Sequence, residues 1–158
     1  MSETYLTKDG LKKMHEELKT MQKQRRELVE EVDRARALGD LRENGEYHAA
    51  REQLQHVTTR LIELESKLTN VRIIDGLEVA SGEARVGTKV TLQDVQAKET
   101  FAYVLIGPEE SDPANGKLSI ASPLGKSLLG KKKGEQFTLT LPNAVVLYRV
   151  VNIERPLG

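Results

Sequence analysis

The chain has 158 residues, with 24 basic and 24 acidic side chains, no cysteine, four tyrosines, two phenylalanines and no tryptophan. Zero net charge argues against a global field for nucleic acid, the scarce aromatics argue against a base-stacking platform, and the absence of cysteine excludes disulfides and thiolate metal sites. No apolar run approaches the roughly 18 residues of a membrane span, and the opening MSETYLTKDG carries no signal or transit pattern, so a cytoplasmic, membrane-free protein is expected.

Thr7 or Asp9 offers an N-cap for a first helix running to about Leu38. Along it Leu11, Met14, Leu18, Met21, Leu28, Val32 and Ala35 step by three and four, the spacing of a coiled-coil seam. Only Arg25 interrupts the run, and its stem can cover the seam while its head reaches water. Gly39 suits the C′ position that ends a helix. A second helix is predicted from about Leu41 to Asn70. The apolar run Tyr47, Ala50, Leu54, Val57, Leu61, Leu64, Leu68 and Val71 follows along it and just past its end at the same spacing. The two runs mirror each other about residue 41, so that 35 faces 47, 32 faces 50, 28 faces 54 and 21 faces 61. An antiparallel helical hairpin in one register follows, each arm roughly 45 Å long at ~1.5 Å per residue.

After Asp75 the heptad stops, which places a domain boundary between 1–75 and 76–158. Residues 76–86 read as a linker and entry segment. Beyond them the apolar period falls to two, with strands predicted over 89–95, 99–106 and 118–120. Ser122 and Pro123 supply an N-cap and an N1 residue for a short helix. A final hairpin, 135–141 and 144–153, turns at Pro142-Asn143. The second half is therefore expected to be a small antiparallel sheet with one helix, an α+β domain.

The hairpin leaves Asp40 and Glu43 at its tip. Their spacing is that of a capping box, and both favour the positive end of the second helix. A second use follows from position. Two carboxylates at the end of a rod reach a narrow space that a globular domain cannot enter. Mg²⁺ is commonly held by one or two carboxylates plus other ligands, so the pair can complete a metal site that belongs to another protein. On the residues alone both readings stand. His48 and Glu52 are two ligands, too few for a closed metal site. Lys131-Lys132-Lys133 reads as a solvated turn.

The run GDLRENGEYHAAR, Gly39–Arg51, resembles the tip of the Gre family of transcript cleavage factors. LTKDGLKKMHEEL at the start, and LIGPEE and LSIASPLGKSLLGKKKGE in the second half, extend the resemblance over almost the whole chain. It implies that residues 76–158 adopt an FKBP-like fold and dock on the rim of bacterial RNA polymerase, with Ser122 and Pro123 in the docking loop. It implies further that the coiled coil enters the secondary channel, where Asp40 and Glu43 support a Mg²⁺ and water during cleavage of backtracked RNA. The Mg²⁺ is then shared with the polymerase active site, with none held by the free protein. On this resemblance the protein is expected to act as a cofactor rather than an enzyme, and as a monomer. Arg36, Arg42 and Arg51 fall where the family carries basic residues, which suits contact with the nascent RNA 3′ end or the channel walls. Arg34, close by, has Glu30 and Glu31 within helical reach instead.

Gly45 stands where the family commonly has Ala, and Ala121 where it usually has Asn or Asp. Three other functions compete. A channel-blocking inhibitor is expected to carry a denser acidic tip, whereas Arg42 separates the two acids here. A prolyl isomerase needs an aromatic pocket, and the domain has only Phe101, Tyr103, Phe137 and Tyr148. A plain coiled-coil scaffold needs no acids at its tip.

Overall fold

The computed structural model describes residues 3–39, 44–75 and 82–155. Strand β1 (Thr4–Leu6) precedes helix α1 (Lys8–Arg36), and helix α2 (Gly45–Thr69) leads into strand β2 (Val71–Ile73). The chain divides into two compact units. One is built on Leu11–Val71, the other on Thr4–Gly10 together with the chain from Arg72 onward.

The first unit is the helical hairpin, and its packing follows the mirrored register. Val32 and Ala35 are buried with Tyr47 and Ala50, and Leu54 packs against them. Leu28 is buried with Val57 and Leu61, flanked by Leu18, Met21 and Leu54. Leu64 and Met14 are buried further along. Truncating a seam residue such as Leu61 to Ala is expected to cost about 2–5 kcal/mol. Across the two helices Arg60 Nε donates to Glu17 Oε1 at 3.0 Å, and Arg60 also pairs with Glu63 at 3.3 Å. Arg25 is exposed, in line with a head that leaves the seam for water. The helix ends differ from expectation. The last turn of α1 closes at Arg36, where Leu38 N–H bonds back to Ala35 O over three residues instead of four. Gly39, at φ +139°, lies past that turn, one residue beyond C′. Helix α2 starts at Gly45, four residues later than predicted, because Asn44 caps it.

The second unit holds a five-stranded sheet. Its strands are β3 (Lys89–Asp94), β4 (Glu99–Ile106), β5 (Lys117–Ser119), β6 (Gln136–Leu141) and β7 (Ala144–Glu154), in the order β5-β4-β3-β7-β6. The β6–β7 hairpin turns at Pro142-Asn143, with Leu141 opposite Ala144. The sheet is mixed rather than antiparallel throughout, because β5 runs parallel to β4, Leu118 beside Leu105. Two proline-led 3₁₀ turns, Pro108–Glu110 and Pro113–Asn115, carry the chain back to the same end of the sheet, which a parallel neighbour requires. The core comprises Ala84, Val90, Leu92, Leu105, Leu118, Leu128 and Val150. Tyr103, Phe137 and Tyr148 pack against it, so three of the four aromatics within residues 76–158 serve the core.

Part of the expected linker belongs to this domain. Ala84 is fully buried and exchanges backbone hydrogen bonds with Gly130 and Lys131. Residues 76–81 lie outside the described residues. Strands β1 and β2 form a separate two-stranded sheet, in which neither strand was anticipated. Ile74 N–H donates to Leu6 O at 3.0 Å beside it.

Candidate functional site at the hairpin turn

Asp40, Arg42 and Glu43 lie outside the described residues, so the site is built from the two helix ends that carry them. Helix α1 delivers Ala35 and Arg36 in its last turn. Helix α2 opens with Asn44, Tyr47 and, one turn on, Arg51. Asn44 joins the two. Its Oδ1 accepts Tyr47 N–H at 3.0 Å, which satisfies one of the free donors at the start of α2. Its Nδ2 donates to Ala35 O at 2.5 Å, which satisfies one of the free carbonyls at the end of α1.

Tyr47 is buried between the arms against Val32, Ala35 and Ala50. The Arg36 guanidinium lies 5.8 Å from its ring centroid, within cation–π reach. Arg36 also hydrogen-bonds the phenol, which lowers its pKa from the usual 10.0, and Arg51 adds to the pull while burial opposes it. Two of the three basic residues singled out in the sequence are therefore gathered on one phenol. His48 makes an edge contact with the Tyr47 ring at 5.4 Å, and Glu52 lies 3.9 Å from His56. Among the described residues no three His, Asp or Glu side chains converge on a metal position.

Sequence reasoning overlooked Asn44 and the bracing role of Tyr47. The signal for Asn44 was present, since Asn ranks with Asp as an N-cap and stands directly before the helix. The Tyr47 hydroxyl partners depend on side-chain geometry across the hairpin, and heptad spacing carries no information on that.

In the second unit Ser122 and Pro123 take the places expected of them at the start of helix α3 (Pro123–Leu128). Ser122 Oγ accepts Gly125 N–H at 3.1 Å and donates to Ser119 O at 2.6 Å. That hydroxyl serves as both donor and acceptor inside the fold, whereas Pro123 is exposed. No helix among the described residues is long and apolar enough to cross a membrane.

Fold and site define a two-part protein, with a helical hairpin braced at its turn and a mixed-sheet domain carrying one short capped helix. A family model described as transcription elongation factor, N-terminal, matches residues 4–73. A second, described as transcription elongation factor, GreA/GreB, C-term, matches residues 79–155. The chain belongs to the GreA/GreB family of transcription elongation factors. A transcription elongation factor GreA of Thermodesulfovibrio yellowstonii is 40% identical over 149 residues, 94% of each chain. One of Caldanaerobacter subterraneus is 38% identical over 95% of this chain and 96% of its own. The solved structure of GreA factor homolog 1 (Gfh1) of Thermus thermophilus is 28% identical, covers 97% of this chain and 99% of its own, and has a TM-score of 0.44.

Proposed function

We propose that this elongation factor binds bacterial RNA polymerase, inserts its hairpin into the secondary channel and stimulates the polymerase's own cleavage of backtracked RNA. One observation carries the reading. The N-cap of α2 is taken by Asn44, so Asp40 and Glu43 are not needed to start that helix. Two carboxylates are thereby left over at the turn between helices of 29 and 25 residues, roughly 40 Å of rod at ~1.5 Å per residue. Carboxylate oxygens suit a hard cation, and two of them make a partial Mg²⁺ set that a partner's ligands can complete. When bound there, Mg²⁺ supplies charge neutralisation for phosphodiester hydrolysis. Asp40 and Glu43 contribute oxygen ligands, and one of them orients the attacking water. The catalytic site is the polymerase's, so this chain acts as a cofactor. Arg36, Arg42 and Arg51 face the RNA phosphates or the channel walls, with Arg36 and Arg51 held in place through Tyr47. Ser122 shapes the docking loop and Pro123 presents its surface to the polymerase rim.

The test uses backtracked elongation complexes with radiolabelled RNA. Wild type is expected to release short 3′-terminal fragments. The Asp40→Asn, Glu43→Gln double variant is expected to compete for polymerase while releasing none. Equal cleavage by the double variant sinks the metal-support mechanism.

A further inference from the structure

We propose that the cleft midway along the hairpin, built on Arg25, Arg26 and Ile62, docks an acidic segment of the polymerase, a claim that deepens the polymerase reading above and rests on it. Arg25 occupies a seam position. In the mirrored register it falls opposite Val57, which is buried with Leu28 and Leu61. An apolar side chain there would extend that cluster, since each buried aliphatic group adds to the stability of a seam. The Arg25 side chain is exposed instead. A seam position that breaks the apolar pattern with no gain inside the fold points to a use outside it.

Arg25 and Arg26 of α1, with Thr58, Leu61, Ile62 and Glu65 of α2, line one cleft of about 470 Å³. Spacings of three and four put the α2 residues on a single face of that helix. Arg60, on the same hairpin, is tied to Glu17 and Glu63. Arg25 and Arg26 have no ion-pair partner among the described residues, and Glu65 pairs with neither although it lines the same cleft. Ile62 is 62% exposed, a large aliphatic side chain turned away from the seam. Two open guanidinium groups beside an aliphatic patch fit a protein segment that carries carboxylates next to an apolar side chain, because the arginine fork matches a carboxylate with two parallel donors. A phosphate backbone fits less well. Glu65 meets it with like charge, and no aromatic ring lines the cleft for a base to stack on. Arg25 lies about three helical turns before Arg36, so the contact falls on the flank of the rod and not at a reacting centre.

Full-length variants are compared in competition for RNA-free bacterial RNA polymerase core enzyme, and in cleavage titrations on backtracked complexes. Arg25→Leu completes the seam and is expected to melt about 2–4 °C above wild type, yet to compete about tenfold less well. Arg26→Ala and Ile62→Ser leave the seam untouched and are expected to weaken competition with melting unchanged. Glu65→Gln removes a like charge facing the acidic segment and is expected to strengthen competition. The arginine effects should shrink as salt rises. In the titrations, the factor concentration at half-maximal cleavage should rise in step with lost competition, while the plateau stays at the wild-type level. Competition by Arg25→Leu and Arg26→Ala equal to wild type overturns the proposal, as does an Arg25→Leu protein that melts at or below wild type. A loss seen only on complexes that carry RNA also overturns it, assigning the cleft to phosphates, and a lowered plateau does so in favour of a part in the chemistry. The reading above fails separately: wild type that does not compete for core enzyme sinks polymerase binding, and wild type that competes but releases no fragment sinks cleavage alone.

Discussion

Gly10, in the first turn of α1, is the position where a single methyl group should do the most damage for its size. A Cβ there would collide with the Glu110 carboxylate. A carboxylate on a flexible stem ordinarily swings away at little cost. This one is held, because Glu110 accepts Thr7 N–H at 2.7 Å and Thr7 O–H at 2.5 Å. Thr7 Oγ1 in turn accepts Gly10 N–H at 3.0 Å, and Asp75 accepts Lys8 N–H at 2.9 Å. Moving Glu110 forfeits two charge-assisted bonds at the positive end of a helix. Each such bond contributes about 1.5 kcal/mol at the low end of its range, the appropriate end for a half-buried group. Alanine returns up to ~1 kcal/mol of helix propensity. The net for Gly10→Ala is a loss of about 2 kcal/mol, or a melting temperature lower by about 4–8 °C for a chain of this size. In a Glu110→Ala background the obstacle is gone, and the same Gly10→Ala change is expected to stabilise by up to ~1 kcal/mol. The measurement is thermal unfolding of the four full-length proteins of this double-mutant cycle, followed by circular dichroism. The reasoning fails if Gly10→Ala alone melts at or above wild type, or if it shifts both backgrounds equally.

Three further outcomes follow from the same structure. No described residue comes within 4 Å of a Cβ at Gly45, so Gly45→Ala is expected to stabilise by about 0.4–1 kcal/mol, read as a rise in melting temperature. Ser122→Ala removes the α3 cap and is expected to cost about 1 kcal/mol and to weaken competition for polymerase. The tyrosines should titrate apart in phenolate absorbance. Tyr47 ionises below 10.0 through Arg36 and Arg51, and Tyr148 ionises above 10.0 through burial and Asp94. Because the folded state lowers the Tyr47 pKa, its contribution to stability is present above 10.0 and is lost as pH falls through the folded value. Tyr47→Phe should therefore erase both the early titration step and the accompanying pH dependence of melting.

The hairpin was legible because a seam has a period, and the mirror about residue 41 carried the register. The clusters of Val32 and Ala35 with Tyr47 and Ala50 fall where that mirror places them. The helix ends were less legible. Asn44 caps α2 and also meets Ala35 O across the hairpin. Nothing local encodes that meeting. The α3 cap was readable because Ser-Pro states both N-cap and N1 in adjacent letters. Strand β5 was found but not its direction, since three residues carry no sign of parallel or antiparallel pairing. Strands β1 and β2 were missed for a related reason: each is three residues long and depends on a partner more than sixty residues away in sequence.

The acidic pair can be separated from structural duty by one more measurement. Among the described residues the three α-helix starts have caps of their own. Thr7 with Glu110 serves α1, Asn44 serves α2 and Ser122 serves α3. None of these three starts needs Asp40 as its cap. If the carboxylate were retained for capping, Asp40→Asn would be nearly silent in both stability and activity, because asparagine caps as well as aspartate. Asp40→Ala would then cost about 1 kcal/mol. If the carboxylate is retained as a metal ligand, both substitutions leave melting within about 0.5 kcal/mol, as expected of a surface change away from any cap. Both also abolish RNA cleavage, since neither side chain offers Mg²⁺ a charged oxygen. The pattern across the pair decides between the two. Equal melting with equal loss of cleavage supports the ligand role. A drop in melting confined to Asp40→Ala, with Asp40→Asn still active, returns the acid to capping and removes the reason for carrying it on a rod.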